Sequence, residues 1–146
     1  MTPCYVFDID GTIADLSHRL HHIEKSPKDW DSFFAACHKD APIAHIRRLL
    51  VDLSNASATI IYVSGRSDQV HDETMAWIIA HGFPVGNIFM RKQGDHRPDN
   101  LVKSDLLDEL HDDGFRPIMA FDDRNQVVKM WRERGIPCAQ VAEGDF

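Results

Sequence analysis

An α/β fold with a largely parallel sheet is what this sequence predicts, and three observations predict it. Short apolar runs alternate with amphipathic segments along the 146 residues. Three of the runs, "CYVFDI", "ATIIYV" and "PIMAF", read as buried strands. Each of those runs ends in polar residues: Asp8 and Asp10 after the first, Ser64-Gly65-Arg66 after the second, Asp122-Asp123-Arg124 after the last. In open parallel sheets the carboxyl ends of the strands are where ligands bind.

Taken in order, residues 4–9 form the first strand. Residues 14–24 place Leu16, Leu20 and Ile23 on one helical face. In "SPKDWDSFFAACH", Ser26 reads as a helix cap and Pro27 as the first helical residue, with Trp30, Phe33, Phe34 and Cys37 as an apolar stripe. A helix near 42–55 carries Ile43, Ile46, Leu50 and Leu53. Residues 58–63 form the second strand, and "SGRS" is a loop leading to a helix that ends at Gly82. "NIFM" (87–90) is a short strand. The polar loop "RKQGDHRPDN" leads to a helix over 99–112, residues 117–121 form a strand, a helix through Trp131 closes at Gly135, and 138–141 form an edge strand. No repeat, linker or low-complexity tract interrupts this order, so residues 1–146 read as one domain.

Composition narrows the function classes. No run approaches the 18 or so apolar residues of a membrane span, and the N-terminus lacks the pattern of a secretory signal. Cys4, Cys37 and Cys138 are odd in number and widely spaced, which fits a reduced cytoplasmic setting better than disulfides or a zinc site. A net charge of −7 argues against a broad nucleic-acid-binding face, though not against a small site gripping one strand end.

Two carboxylates at the end of a buried strand repel each other and need a compensating cation. Acids, a hydroxyl and fixed cations drawn from separate segments suit phosphoryl transfer to a carboxylate. Asp8 is the expected nucleophile and Asp10 the acid/base, on the same side by strand alternation. Magnesium suits the bridging cation. Gly11 lets the backbone turn, while Ser64 and Lys103 hold phosphate oxygens.

"DIDGT" with Thr12, a hydroxyl residue after the second strand, a downstream lysine and a terminal "DD" together resemble the four signatures of haloacid-dehalogenase-like (HAD) phosphatases. That likeness implies a Rossmann-like fold: a mostly parallel central sheet flanked by helices, with a small helical cap inserted over residues 14–57. It also implies that Asp8, Asp10 through its backbone carbonyl, and Asp122 ligate Mg2+, with Asp123 supporting the site. "VSGR", "RKQGDHRPDNLVK", "FDDRNQVVKMW" and "CAQVAEGDF" look like the 3′-phosphatase domain of bacteriophage-type polynucleotide kinase-phosphatases. By that resemblance Arg19, Arg66 and Asp99 matter too, and with Gly11, Thr12, Ser64 and Gly65 they make up the phosphate- and substrate-binding set. The implied substrate is a 3′-phosphorylated nucleic-acid end or 3′-nucleotide, with a separate kinase or ligase as partner and no membrane. The alternatives are a 5′-nucleotidase or small-molecule phosphatase with the same mechanism, and a non-catalytic nucleotide-binding module. The chain has no GxxxxGK[ST] loop, so 5′-kinase activity is not expected of it.

Other motifs read more plainly. His18, His21 and His22 make a polar helix face. Trp30, Phe33 and Phe34 could stack on a base, but their spacing favours core packing. Trp77 and Trp131 are core residues, and Cys37-His38 is structural.

Overall fold

A five-stranded sheet in the order β5-β4-β1-β6-β7 organises the molecule, described over residues 1–146 by a computed structural model. Its strands are β1 (Thr2–Phe7), β4 (Ile60–Ser67), β5 (Asn87–Arg91), β6 (Phe115–Asp122) and β7 (Cys138–Gln140), and every pairing is parallel. The flanking helices are α3 (Ala44–Asn55), α4 (His71–Ala80), α5 (Asp99–Asp112) and α6 (Asn125–Glu133). Strand alternation sorts the core into two layers. Cys4, Val6, Ile61 and Val63 join Val102, Leu106, Val127 and Trp131 under α5 and α6. Phe7, Ile60 and Tyr62 join Ile46, Leu50, Trp77 and Ile78 under α3 and α4. Both faces being covered is why these strands read as continuous apolar runs.

The strand order reverses around β1, so the carboxyl ends of β4, β1 and β6 open into one crevice. β1 stops at Phe7, so Asp8 and Asp10 lie beyond the pleat and the alternation rule no longer governs them. "SGRS" is strand, not loop: β4 runs through Ser67. Its register against β5 shifts between Ser64 and Ser67, so Gly65 and Arg66 form an irregularity of the kind that re-aims side chains beside a site. The elements expected at 99–112 and 138–141 form as α5 and β7, with β7 at the edge.

Residues 14–57 differ most from expectation. The helix expected over 14–24 is instead β2 (Ala14–Asp15), one 3-10 turn at Ser17–Arg19 and a four-residue α1 (His21–Glu24). The next helix does not begin at Ser26-Pro27. Asp29 caps α2 (Trp30–Ala35), its carboxylate accepting from Ser32 N at 3.0 Å and from Ser32 Oγ at 2.7 Å. A carboxylate satisfies two donors at that terminus, where Ser26 has none to satisfy. β3 (Ala41–Pro42) then pairs antiparallel with β2 and closes residues 14–42 into a short excursion. α3 lies outside that excursion, flanking the sheet with Ile46 and Leu50 buried. The three cysteines are buried and unpaired, and no helix is long and apolar enough to cross a membrane.

Candidate active site

Asp8 enters the crevice directly off β1 and is almost fully buried. Lys103, from the first turns of α5, donates to Asp8 Oδ1 at 2.7 Å and to Asp122 Oδ2 at 3.0 Å, the latter carboxylate ending β6. Thr12 Oγ1 donates to Asp8 Oδ2 at 2.9 Å. Asp123 completes the group: carboxylate oxygens of Asp8, Asp122 and Asp123 lie within 4.8 Å of one another. Gly11 lets Asp123 close in. Its φ is +83°, and a Cβ there would collide with the Asp123 carboxylate.

Three buried carboxylates thus gather beside one ammonium, which bonds two of them, Asp8 and Asp122. Burial, reinforced by Asp122, pushes the Asp8 carboxyl well above the usual range against the pull of Lys103. Burial likewise raises Asp123 to about 6, and Asp122 adds to it. Lys103 holds its proton far above the usual lysine value because Asp122, Asp8 and Asp99 outweigh the cost of its burial. Compact oxygen donors with uncancelled negative charge are what a hard divalent cation requires, so the residues present fit Mg2+.

Asp10 belongs to a second network. Its Oδ1 accepts from Arg19 Nη2 at 2.7 Å and from Arg66 Nη2 at 2.8 Å and Nε at 3.0 Å. Burial would raise its pKa, but Arg66 and Arg19 overcome that and lower it. Both guanidinium groups are fully buried, and both also grip Asp40. Arg19 donates to both Asp40 oxygens at 2.8 Å, and Arg66 Nη2 donates to Oδ2 at 3.0 Å. Thr74 Oγ1 accepts from Arg66 Nη1, Phe33 O accepts from Arg19 Nη1, and His18 Nε2 lies 2.6 Å from Asp40 Oδ1. Arg19 and Arg66 thus both pack against Asp10, with most of their donors spent on Asp10 and Asp40. The carboxylate of Asp10 also lies outside the Asp8–Asp122–Asp123 group.

Asp40 is the functional candidate that sequence reasoning missed. It stands alone in "HKDAPI", and only the count of buried charges points to it: two buried arginines need more than one carboxylate. The His18–His21–His22 face is likewise broken up. His18 pairs with Asp40, while His21 and His22 lie against each other.

Ser64 is buried within β4, just before its register shift, its Oγ accepting from Arg66 N at 3.1 Å. Gly65 lies under the Asp99 carboxylate. Asp99, opening α5, is flanked by Arg91 at 3.4 Å, Arg124 at 3.8 Å and Lys103 at 3.9 Å. The C-terminal segment fastens the turn after β6: Asn125 N donates to Gly144 O, Gln140 Nε2 to Asp123 O and Arg124 Nε to Phe146 O.

The profile of the polynucleotide kinase PNKP phosphatase domain matches residues 2–146. A protein of Autographa californica nuclear polyhedrosis virus, assigned as a bifunctional polynucleotide kinase/RNA ligase, is 31% identical over 133 residues, 89% of this chain and 18% of its own length. Among solved structures, a chain of the Pnkp1/Rnl/Hen1 complex superposes with a TM-score of 0.85 and 26% identity, covering all of this chain and 48% of that one. A class C acid phosphatase from Bacillus anthracis, at 15% identity and a TM-score of 0.67, covers 97% of this chain and 68% of its own, and shows the shared fold alone. The chain thus spans about a fifth of the viral relative and about half of the complex's chain.

Proposed function

Starting from a chain that belongs to the polynucleotide kinase PNKP phosphatase-domain family, we propose that it is a Mg2+-dependent phosphomonoesterase acting through an aspartyl-phosphate, with 3′-phosphorylated nucleic-acid ends or 3′-nucleotides as substrates. The observation that carries this reading is the Asp8–Asp122–Asp123 cluster with Lys103 as its single cation. Asp8, Asp122 and the Asp10 carbonyl would hold Mg2+, and Asp123 would support them. When bound, the ion supplies charge neutralisation between the anionic nucleophile and the phosphate.

Asp8 attacks phosphorus through one carboxylate oxygen, and the bond from phosphorus to the leaving 3′-oxygen breaks. Lys103 and the Ser64 hydroxyl hold the phosphate oxygens. Asp10 gives the leaving oxygen its proton. The arriving phosphate is a like charge beside Asp10 and raises its proton affinity for that step. In the second step Asp10 takes a proton from water, the water oxygen attacks phosphorus, and the bond to Asp8 breaks. Arg19 and Arg66 suit Asp10 to this basic half by holding it ionised. Their further role is to aim it, with Asp40 clamping both from behind.

Residues 14–42 serve in this reading as a small insert beside the crevice that governs access. The viral relative and the Pnkp1/Rnl/Hen1 chain support a kinase or ligase as partner. The three unpaired cysteines support a cytoplasmic setting. The net charge of −7 favours one second reading, a 5′-nucleotidase or small-molecule phosphatase with the same chemistry. Phosphate release with Mg2+ separates the two. Preference for a 3′-phosphorylated oligonucleotide over its 5′-phosphorylated counterpart and over 5′-mononucleotides is the expected result. The reverse preference would make it a nucleotidase.

A further inference from the structure

We propose that Trp30, with Lys28 beside it, forms a stacking subsite for the nucleobase at the 3′ end of the substrate; this rests on the polynucleotide-phosphatase reading above. The apolar stripe Trp30–Phe33–Phe34 does not bury as a unit. Phe33 is 6% exposed, whereas Trp30 is 44% exposed. The other two tryptophans are buried, with Trp77 Nε1 donating to Asp40 O and Trp131 Nε1 to Asp122 Oδ2.

The exposed ring is held in place. Phe33 packs edge-on against it at 5.6 Å between centroids, and Phe34 stacks beside it at 5.9 Å. A ring fixed before binding loses little freedom when a second ring stacks on it. The platform is also joined to the candidate site. The Arg19 guanidinium lies 4.3 Å from the Phe33 ring centroid and donates to Phe33 O, while its Nη2 grips Asp10 at 2.7 Å. The side chain that aims the acid/base therefore also supports the floor under Trp30.

Charge selects the ligand class. Lys28 Nζ sits 5.7 Å from the Trp30 ring centroid, where a base stacked on that ring brings its own sugar-phosphate backbone. Along residues 24–39, Lys25, Lys28 and Lys39 offset Glu24, Asp29 and Asp31, so this segment contributes none of the chain's −7. A polyanion meets less repulsion at a neutral segment than the net charge of the whole chain would impose. An aromatic face with an adjacent cation is the arrangement by which single strands are held without base-specific hydrogen bonds.

The test compares two 3′-phosphorylated oligonucleotides, one normal and one with an abasic terminal residue, in wild type, Trp30→Leu and Trp30→Phe. Loss of one base–aromatic stack corresponds to about a tenfold rise in KM. Trp30→Leu should show that rise on the normal end with kcat held, and no change on the abasic end. Trp30→Phe should recover most of the loss, and neither change should lower the melting temperature. In the Asp8→Asn background, tryptophan fluorescence should be quenched by the normal oligonucleotide, much less by the abasic one, and not when Trp30 is also replaced by Leu. An unchanged KM, or equal losses on both ends, overturns the subsite. If neither oligonucleotide releases phosphate, the phosphatase reading falls instead. The fluorescence titration then decides the subsite by itself: quenching that needs the base sustains it, and no quenching overturns it.

Discussion

Asp8 and Asp10 are two residues apart, yet they belong to networks of opposite balance. Around Asp10, two buried arginines face two carboxylates, Asp10 and Asp40, and the charges cancel. Around Asp8, three carboxylates face one lysine, and they do not. Buried charge is costly unless paired, so the first network holds itself together while the second holds its charges apart only because the fold insists. The difference separates two jobs. In the proposed reading the balanced network fixes the position of a side chain, and the unbalanced one keeps a place for a cation and a phosphate.

Substitutions should tell the two apart. The largest effect is expected from Asp8→Asn, which removes the proposed nucleophile at nearly constant volume. Phosphate release should fall to background while the circular dichroism spectrum is retained, and near-wild-type turnover would take the nucleophilic role away from Asp8. Asp10→Asn should slow turnover by about 10²–10⁴-fold, the usual contribution of a positioned acid/base. An unaltered rate in that variant would mean that another group moves the proton.

Asp40 touches neither the Asp8 cluster nor the solvent, so its loss should appear as instability. Removing one partner from a buried ion network costs about 3–5 kcal/mol, which is a fall in melting temperature on the order of 10 °C for Asp40→Ala. A shift below about 2 °C would show that Asp10 alone satisfies both arginines.

The smallest effect concerns pH. Asp123 titrates at about 6 in the folded chain, above the ordinary value of about 3.9 for an unfolded aspartate. Between these values the folded state binds the extra proton, so raising pH through that window costs stability, and the cost is complete above about 6. Without metal, Asp123→Asn should therefore stabilise the protein little near pH 4 and increasingly up to about pH 6, then level off. A gain independent of pH, followed by thermal melts with chelator, would remove the charge argument for Asp123.

Much of the Asp8 network was legible in the sequence, because its members lie where strand ends and helix starts are marked locally. An apolar run followed by "DIDGT", another followed by "DDR", and Lys103 four residues into a helix opened by Asp99 all announce their places. The brace around Asp10 was not legible in the same way. Arg19, Asp40 and Arg66 come from a 3-10 turn, the end of the β2–β3 excursion and a strand irregularity. What unites them is mutual neutralisation across long sequence separations, which leaves no periodic trace. The helix expected over 14–24 is likewise replaced by a short strand, a 3-10 turn carrying Arg19 and one turn of α-helix. Trp30 sits in a helical stripe that predicts burial, but α2 is only six residues long and buries Phe33 alone.

The most direct test of the contrast is the melting temperature, in chelator at neutral pH, of Asp8→Asn beside Asp40→Asn. The two changes are chemically identical and differ only in which network loses a charge. Relief of repulsion should raise the first by a few degrees, and an uncompensated arginine should lower the second by about 10 °C. If both substitutions lower the melting temperature alike, the Asp8 cluster is as balanced as the brace behind it, and the case for a cation site there fails.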